Sequence, residues 1–490
     1  MKNPIKFFFS KEAEEDYIPN RELLAHSVGL AGQNTAYGFI AGWLFYFRNV
    51  ILKIGPGKVG IITGIARAWD AINDPLVGAY IDKRKSTPGN KLRPYLLYFP
   101  IPIAILSALM FVNWGLSEFW AIVYFLVIYL LWDTLYSFQD VGLWGMLSMT
   151  SPHSSEHLRM TQWAKIGAGM GGTPLAFFPL IMGAVKDKGI SESQLFLWAG
   201  IIFGFGGQVV SMLAAHAKER VASKEPEDSI LEGMLVVRHN KVLLTISLAR
   251  VLESLSPVIP AIYFFKYGMD TIRLGRFELN GESFMFWYGV FSGVPYFFTQ
   301  FMAKELTVKL GGAKRALLIA KSSLVLSRII VFFIGFTSPL RIALCALVQS
   351  AASLPDGASA VAQTSLWCDS VDYIEWKTGK RTEGISYAFQ NFLSKLTGSI
   401  TLLINGFILG RLGFRADLGV TGQPPAFYKW QWPIFMLGPV VGMVLHLLTN
   451  ATINYPKEMK EKVERELMQR RALQADLKLQ GKELEASTEG

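Results

Sequence analysis

The sequence predicts an all-α integral membrane protein with twelve transmembrane helices in two pseudo-symmetric six-helix halves. The 490-residue chain is 51% hydrophobic, and its mean hydropathy is +0.31. Charged residues make up only 18% of it, against about 25% in soluble domains, and they cluster between long apolar stretches. Such stretches of roughly 20 residues cross a bilayer as helices, because a helix satisfies its own backbone polar groups.

The long continuous apolar stretches favour helices over a β-barrel, whose strands are short and alternate in polarity. The predicted spans are residues 23–47, 59–80, 94–114, 118–149, 160–185, 194–215, 242–267, 284–302, 315–336, 341–367, 384–409 and 432–448. The predicted organisation is an N-terminal segment (1–22), a first half (23–216), a linker (217–241), a second half (242–453) and a charged tail (454–490).

The distribution of basic residues predicts the orientation. The loops after the second and eighth spans, DKRKSTPGNKLR and KELTVKLGGAKR, are basic, and basic loops stay on the cytoplasmic side. We therefore expect a multi-pass protein of the cell membrane with both termini in the cytoplasm. The same rule explains the net charge of +10, so no nucleic-acid partner is expected. The tail contains many acidic and many basic residues. This pattern predicts a solvated helix that frays at its end.

The second span carries the motif RAWDAINDPLVG. Asp70, Asn73 and Asp74 stand at i, i+3 and i+4, so one helix face presents two carboxylates and an amide. An acid inside a membrane span is costly and indicates a functional site by default. Carboxylate and amide oxygens are the hard ligands that a small cation prefers. The alternative is that both acids lie at the helix end and pair with Arg67 or with loop cations.

The fourth span carries a polar stripe, since Asp133, Ser137, Asp140 and Trp144 recur at i, i+4, i+7 and i+11. A carboxylate beside an indole suits a sugar, because the acid accepts hydrogen bonds from hydroxyls and the ring stacks on the C–H face. A tryptophan alone is more often an interfacial anchor. Next to Asp140, we interpret Trp144 as part of a sugar site.

Basic residues also fall inside spans. Lys165 and Lys395 lie in apolar segments and need a counter-charge, for which Asp140 and Asp74 are candidates; the alternative is snorkelling to the nearer interface. Two amides about one turn before Lys395 are positioned to share its face: Gln390 and Asn391.

Other residues of the second half give weaker predictions. Arg250 and Glu253 have the i, i+3 spacing of an intrahelical pair, and Asp356 has no predicted partner. The two cysteines, Cys345 and Cys368, lie in apolar surroundings typical of small core residues. No nucleotide-binding loop, catalytic triad or zinc motif is present in the sequence, so we expect no enzyme activity and no cofactor beyond a coupling cation.

Three segments resemble a known family: WDAINDPLVGAYIDKRKSTPGNKLRPYLL, YSFQDVGLW and CDSVDYIEWKTGKRTEGISYAFQNFLSK. They resemble the glycoside–pentoside–hexuronide:cation symporters of the major facilitator superfamily, in the expected order along almost the whole chain. The resemblance implies the major facilitator fold and a sodium, lithium or proton site at Asp70, Asn73, Asp74 and Ser137. It implies substrate binding at Asp140, Trp144, Lys165 and Lys395. Lys165 stands where the family has arginine. A lysine ammonium can bind a carboxylate or a hydroxyl, but it lacks the two parallel N–H donors of an arginine guanidinium.

One departure concerns the first span. In melibiose permease, a member of that family, a Lys-Asp pair helps hold the galactoside, and this pair falls at Gln33 and Asn34. Both amides still form hydrogen bonds, so Asn34 stays a candidate for substrate binding. The loss of both charges indicates another glycoside, a longer oligosaccharide or a non-sugar. The two intramembrane lysines permit an anionic sugar such as a uronide.

We therefore expect a monomeric secondary transporter that couples a sodium ion or proton to a small-molecule substrate, a sugar, by alternating access in the lipid bilayer. The alternatives are a lysolipid or amphiphile transporter of the same superfamily and a non-transporting membrane sensor. A membrane enzyme is a further alternative, but no nucleophile or metal site supports it.

Overall fold

The computed structural model describes residues 17–83, 90–151, 154–185, 188–220, 240–269, 271–274, 277–379, 383–455, 458–463, 465–467 and 469–470. Parts of the predicted N-terminal segment, second-to-third loop, linker and tail lie outside these residues.

The first part of the chain contains ten α-helices among the described residues: α1 (Asn20–Tyr46), α2 (Pro56–Lys83), α3 (Arg93–Leu97), α4 (Pro100–Leu109), α5 (Glu118–Met149), α6 (Ser154–Met170), α7 (Thr173–Ala176), α8 (Phe178–Val185), α9 (Glu192–Ala199) and α10 (Gly206–Ser211). The remaining helices and strands are α11 (Lys241–Ser254), α12 (Ala261–Phe264), β1 (Thr271–Leu274), β2 (Phe277–Asn280), α13 (Gly281–Phe301), α14 (Ala303–Lys309), α15 (Ala313–Ile334), α16 (Pro339–Thr378), α17 (Glu383–Arg411) and α18 (Pro425–Ala451). Turns of π-helix at Phe47–Ile51, Gly200–Phe205 and Phe265–Met269 extend α1, α9 and α12.

Within the described residues, six helical stretches are long and apolar enough to cross a membrane: Glu118–Leu147, Arg159–Val185, Glu192–His216, Ala313–Ile334, Phe392–Arg411 and Pro425–Ala451. Two predicted spans are less regular than expected. The third ends at Leu109 rather than Trp114. The seventh was predicted as one helix, which is wrong: residues 255–260 are not helical, since Pro257 and Pro260 lack the N–H groups that a helix needs.

The chain divides into two compact units. The first comprises Met1–Glu225, Val258–Trp287 and Ser399–Trp432; the second comprises Pro226–Pro257, Tyr288–Gly398 and Pro433–Gly490. The first unit contains parts of both predicted six-helix halves, whereas the second unit contains only parts of the predicted linker, second half and tail. The pseudo-symmetry of the two halves stays a prediction.

Small residues let helices approach closely in the first unit. A Cβ on Gly167 would lie 2.0 Å from the carbonyl oxygen of Ser27, and one on Gly32 would lie 2.5 Å from that of Gly207. Helix α1 therefore packs backbone to backbone on α6 and α10, as small residues allow in membrane bundles. Beyond these contacts the unit has an aromatic core of buried rings: Phe39, Phe111, Phe178 and Phe196.

A buried lysine joins several segments of the first unit. Lys266 donates to the hydroxyl of Tyr46 at 2.7 Å, pairs with Glu192 and lies 3.4 Å from a carboxylate oxygen of Glu282. Only 5% of its side chain is exposed. These contacts satisfy the charge of a lysine taken out of water, which is otherwise expensive.

The second unit contains α11, most of α13, α14 to α16, the start of α17 and most of α18. Helices α15 and α16 form its longest antiparallel pair. Among the described tail residues the expected solvated helix has one exposed face and one face that contacts the rest of the chain. Val463 is fully buried, Lys460 lies 2.8 Å from Asp369, and Trp376 donates to Glu466 at 2.6 Å. The tail helix docks because one apolar stripe runs through its charged sequence.

Candidate cation and sugar site

Helices α2 and α5 pack together and bring the second-span motif to the polar stripe of the fourth span. The hydroxyl of Ser137 donates to Asp74 at 2.7 Å, and the Asn73 amide donates to the Ser137 oxygen at 3.0 Å. The same amide lies 3.3 Å from the carboxylate of Asp133. Asn73, Asp133 and Ser137 are all buried. We call these four residues, Asn73, Asp74, Asp133 and Ser137, the oxygen cluster.

Asp70 belongs to the same helix face but has a different neighbour. Arg67 lies 3.4 Å from its carboxylate and donates to the Tyr37 hydroxyl at 3.2 Å. Asp70 is only 1% exposed, so the ion pair compensates part of the cost of burying its charge. For Asp70 the structure therefore supports the alternative of pairing with Arg67, whereas Asp74 contacts a hydroxyl.

Asp140 lies one helical turn beyond Ser137 on α5. The Gln33 amide donates to it at 2.9 Å and also to the Tyr136 hydroxyl. The Tyr136 ring stacks on Tyr37 with centroids 5.3 Å apart. A continuous chain of contacts thus runs from Asp140 through these rings to the Arg67–Asp70 pair.

The other sugar-site candidates of the first unit have varied surroundings. Trp144 is partly buried and packs against an apolar cluster. Asn34 donates to its own helix at Leu30 and to Gln33. Lys165 is exposed on α6.

The candidates of the second unit lie on α17 and α16. Lys395 is half-buried, whereas the side chains of Gln390 and Asn391 lie outside the described part of the structure. Asp356, for which the sequence predicted no partner, accepts a hydrogen bond from Ser359 at 2.7 Å.

The donor set of the oxygen cluster indicates which cation fits. No group of three His, Cys, Asp or Glu side chains among the described residues is placed to hold a metal ion. The cluster offers two carboxylates, one amide and one hydroxyl, with no sulfur or imidazole. Hard oxygen ligands suit a sodium ion or a proton rather than a transition metal.

Sequence reasoning omitted two residues from the site. Asp133 was placed on the polar stripe, but its contact with Asn73 depends on how α2 packs on α5. Gln33 was noted only for replacing a charge, although it contacts Asp140. The signal that pointed to both was an unusual polar residue in an apolar span.

Known proteins of similar sequence cover nearly the whole chain. The chain is 25% identical to the "Uncharacterized symporter YnaJ" of Bacillus subtilis (strain 168), over 92% of this chain and 95% of that protein. It is 24% identical to the isoprimeverose transporter of Lactiplantibacillus pentosus, over 84% of each. A mutant of the nucleoside transporter NupG has a similar fold, with a TM-score of 0.58 at 13% identity, over 88% of this chain and all of that one. The family model for MFS/sugar transport proteins matches residues 25–456. The chain therefore belongs to this family of multi-pass membrane transporters and has the major facilitator fold.

Proposed function

We propose that the chain is a secondary active transporter that couples a sodium ion or a proton to the uptake of a glycoside, oligosaccharide or uronide. The observation that carries this proposal is the oxygen cluster, which joins Asp74 on one helix to Ser137 on another at 2.7 Å. Buried carboxylates are costly, and a bound cation offsets that cost.

The cluster is connected to the proposed sugar site through α5. Ser137 and Asp140 are three residues apart and share one helix face. A cation held by Asp74 and Ser137 would fix α5 against α2 and so set the position of Asp140. A sugar whose hydroxyls donate to Asp140 would then bind more tightly when the cation is present. This linkage is reciprocal, with a typical coupling free energy of about 1–3 kcal/mol.

Several residues have proposed roles around this core. Asp70 and Asn73 belong to the cation site with Asp74 and Ser137. The proposed substrate site contains Asn34, Asp140, Trp144, Lys165, Gln390, Asn391 and Lys395. The lysines would bind the carboxylate of a uronide or the hydroxyls of a neutral sugar.

The proposal also includes the cellular setting. The protein would act as a monomer in the cell membrane with both termini in the cytoplasm. The relative named as an isoprimeverose transporter supports a sugar substrate, and the relative named as a symporter supports coupling to an ion.

The test is ligand binding to purified protein with a panel of glycosides, uronides and oligosaccharides, with and without sodium and at two pH values. Sugar affinity that rises with sodium supports sodium symport through the oxygen cluster. Affinity that follows pH and ignores sodium identifies the proton as the coupling ion. Failure to bind any sugar under every condition contradicts the proposal and favours a lysolipid or amphiphile as substrate.

A further inference from the structure

Three ionisable side chains meet in the second unit, on α11, α15 and α18. The Lys321 ammonium lies 2.8 Å from Oε1 of Glu253, and Nδ1 of His446 lies 2.7 Å from Oε2. Each carboxylate oxygen therefore has its own nitrogen partner. We call Glu253, Lys321 and His446 the triad.

Two glycines explain how the histidine reaches the acid. A Cβ on Gly442 would lie 2.5 Å from the carbonyl oxygen of Glu253, and one on Gly438 would lie 1.8 Å from that of Pro257. Helices α11 and α18 thus touch through their backbones, as small residues four apart allow. His446 follows Gly442 by one further turn on the same face. Its imidazole is 2% exposed.

The triad lies at a break in a helix. Helix α11 ends at Ser254, directly after Glu253, and residues 255–260 are not helical although they fall inside the predicted seventh span. The carbonyl end of a helix carries a partial negative charge that favours cations. In transporters, the carbonyl ends of interrupted helices coordinate coupling ions.

Other charged groups lie on the helices of the triad and on α16, which packs against α11 and α15. They include the basic residues Lys241, Arg250, Lys314, Arg315, Arg328 and Lys429 and, on α16, the acids Asp356, Asp369, Asp372 and Glu375. Arg250 lies one turn before Glu253, and its charge also acts on that carboxylate. Arg328 donates to the carbonyl of Phe435, about 16 Å along α18 from His446.

The chemistry of the triad differs from that of an oxygen cluster. A metal ion would have to displace both nitrogen partners of Glu253, whereas imidazole exchanges a proton in the physiological pH range. Both ring nitrogens of His446 are buried without an aligned hydrogen bond among the described residues. Nδ1 faces Oε2 of Glu253 at 2.7 Å, so Nε2 is the atom that accepts a proton. We propose that the triad is a proton-binding site, and that a proton on His446 competes with Lys321 for Glu253.

Uptake of one proton by His446 adds one positive charge beside Glu253 and Lys321. The added charge weakens the ion pair between Glu253 and Lys321. It also favours the approach of an anion. Coupling of this proton to transport rests on the proposed function, whereas proton binding itself does not. Proton binding is therefore tested in the absence of sugar.

The test is nuclear magnetic resonance of full-length protein in detergent, with isotope-labelled imidazole rings and no added sugar. The chain has six histidines, and the signal missing in His446→Gln belongs to His446. If that variant does not fold, replacing the other five in turn identifies the same signal. The signal is followed between about pH 5 and pH 8.

We expect the His446 signal to titrate, and its midpoint to move by about one pH unit or more in both Glu253→Gln and Lys321→Met, because each removes a neighbouring charge. The matched control is Lys460→Gln, which removes the lysine paired with Asp369 in the same unit and should leave the midpoint in place. A His446 signal that does not titrate, or one that ignores both substitutions, overturns the proposal. Since no sugar is present, either result is independent of the substrate.

Discussion

The oxygen cluster and the triad are both buried groups of ionisable side chains, but their partners differ. In the oxygen cluster, Asp74 is bonded to a hydroxyl and Asp133 contacts an amide. In the triad, both oxygens of Glu253 face nitrogen atoms of basic side chains. We propose the first arrangement as a site for a whole cation and the second as a site for a proton. Acids in membrane spans must therefore be interpreted from their partners.

The largest expected effect is at the oxygen cluster. Asp74→Asn removes one negative charge but keeps the shape of the side chain. We expect sodium no longer to stimulate sugar binding in this variant. The sodium-dependent gain in sugar affinity that is lost should be roughly 5- to 150-fold, which corresponds to typical coupling free energies. Binding curves with and without sodium measure it. Ser137→Thr keeps the hydroxyl and should retain the stimulation, whereas full stimulation in Asp74→Asn would remove this cluster from the mechanism.

The next effect concerns the connection between the cluster and the sugar. Gln33→Leu removes the amide that donates to the half-buried Asp140, and a hydrogen bond to a charged group contributes about 1.5–3 kcal/mol. Sugar affinity should fall by about tenfold or more, while the ratio of affinities with and without sodium is kept. The control is Thr134→Val on the same helix as Asp140; the Thr134 hydroxyl donates to the Leu130 carbonyl and accepts from the Trp69 indole. Equal losses in both variants would contradict a specific role for Gln33.

A smaller effect tests the packing that builds the triad. Gly442→Ala places a Cβ 2.0 Å from the Ser256 hydroxyl oxygen and 2.5 Å from the Glu253 carbonyl oxygen. Overpacking of this kind costs about 1–3 kcal/mol. Thermal unfolding in detergent should show a lower midpoint. Gly289→Ala is the matched control, because a Cβ there meets nothing within 4 Å. If both variants unfold alike, α11 and α18 do not touch at Gly442.

The smallest effect is expected at the docked tail. Lys460→Gln removes an ion pair with Asp369 whose lysine side chain is 35% exposed. Partly exposed pairs of this kind contribute about 0.2–1 kcal/mol. Unfolding should shift only slightly and sugar binding should not change. A large loss of sodium-stimulated binding would show that the tail takes part in transport.

The membrane fold and the α2 part of the oxygen cluster could be predicted from the sequence, because apolar spans and the WDAIND motif are local patterns. The family and the fold were predicted correctly on those patterns. The break in the seventh span was missed although its prolines are visible, because the apolar run continues across it. The triad could not be predicted, since Glu253, Lys321 and His446 are far apart in the chain and meet only through the packing of α11, α15 and α18. For the same reason the sequence predicted an ion pair of Glu253 with Arg250, the nearest basic residue along the helix.

The most direct test of the account is uptake of the sugar identified by the binding panel into proteoliposomes, driven by a sodium gradient or by a pH gradient. Wild type, Asp74→Asn and Glu253→Gln are compared. We expect Asp74→Asn to lose the uptake that is driven by the ion assigned to the oxygen cluster in the binding panel. Glu253→Gln should lose uptake driven by a pH gradient and keep any uptake driven by sodium. Loss of all driven uptake in Asp74→Asn, with Glu253→Gln unchanged, would contradict this and place all coupling at the oxygen cluster.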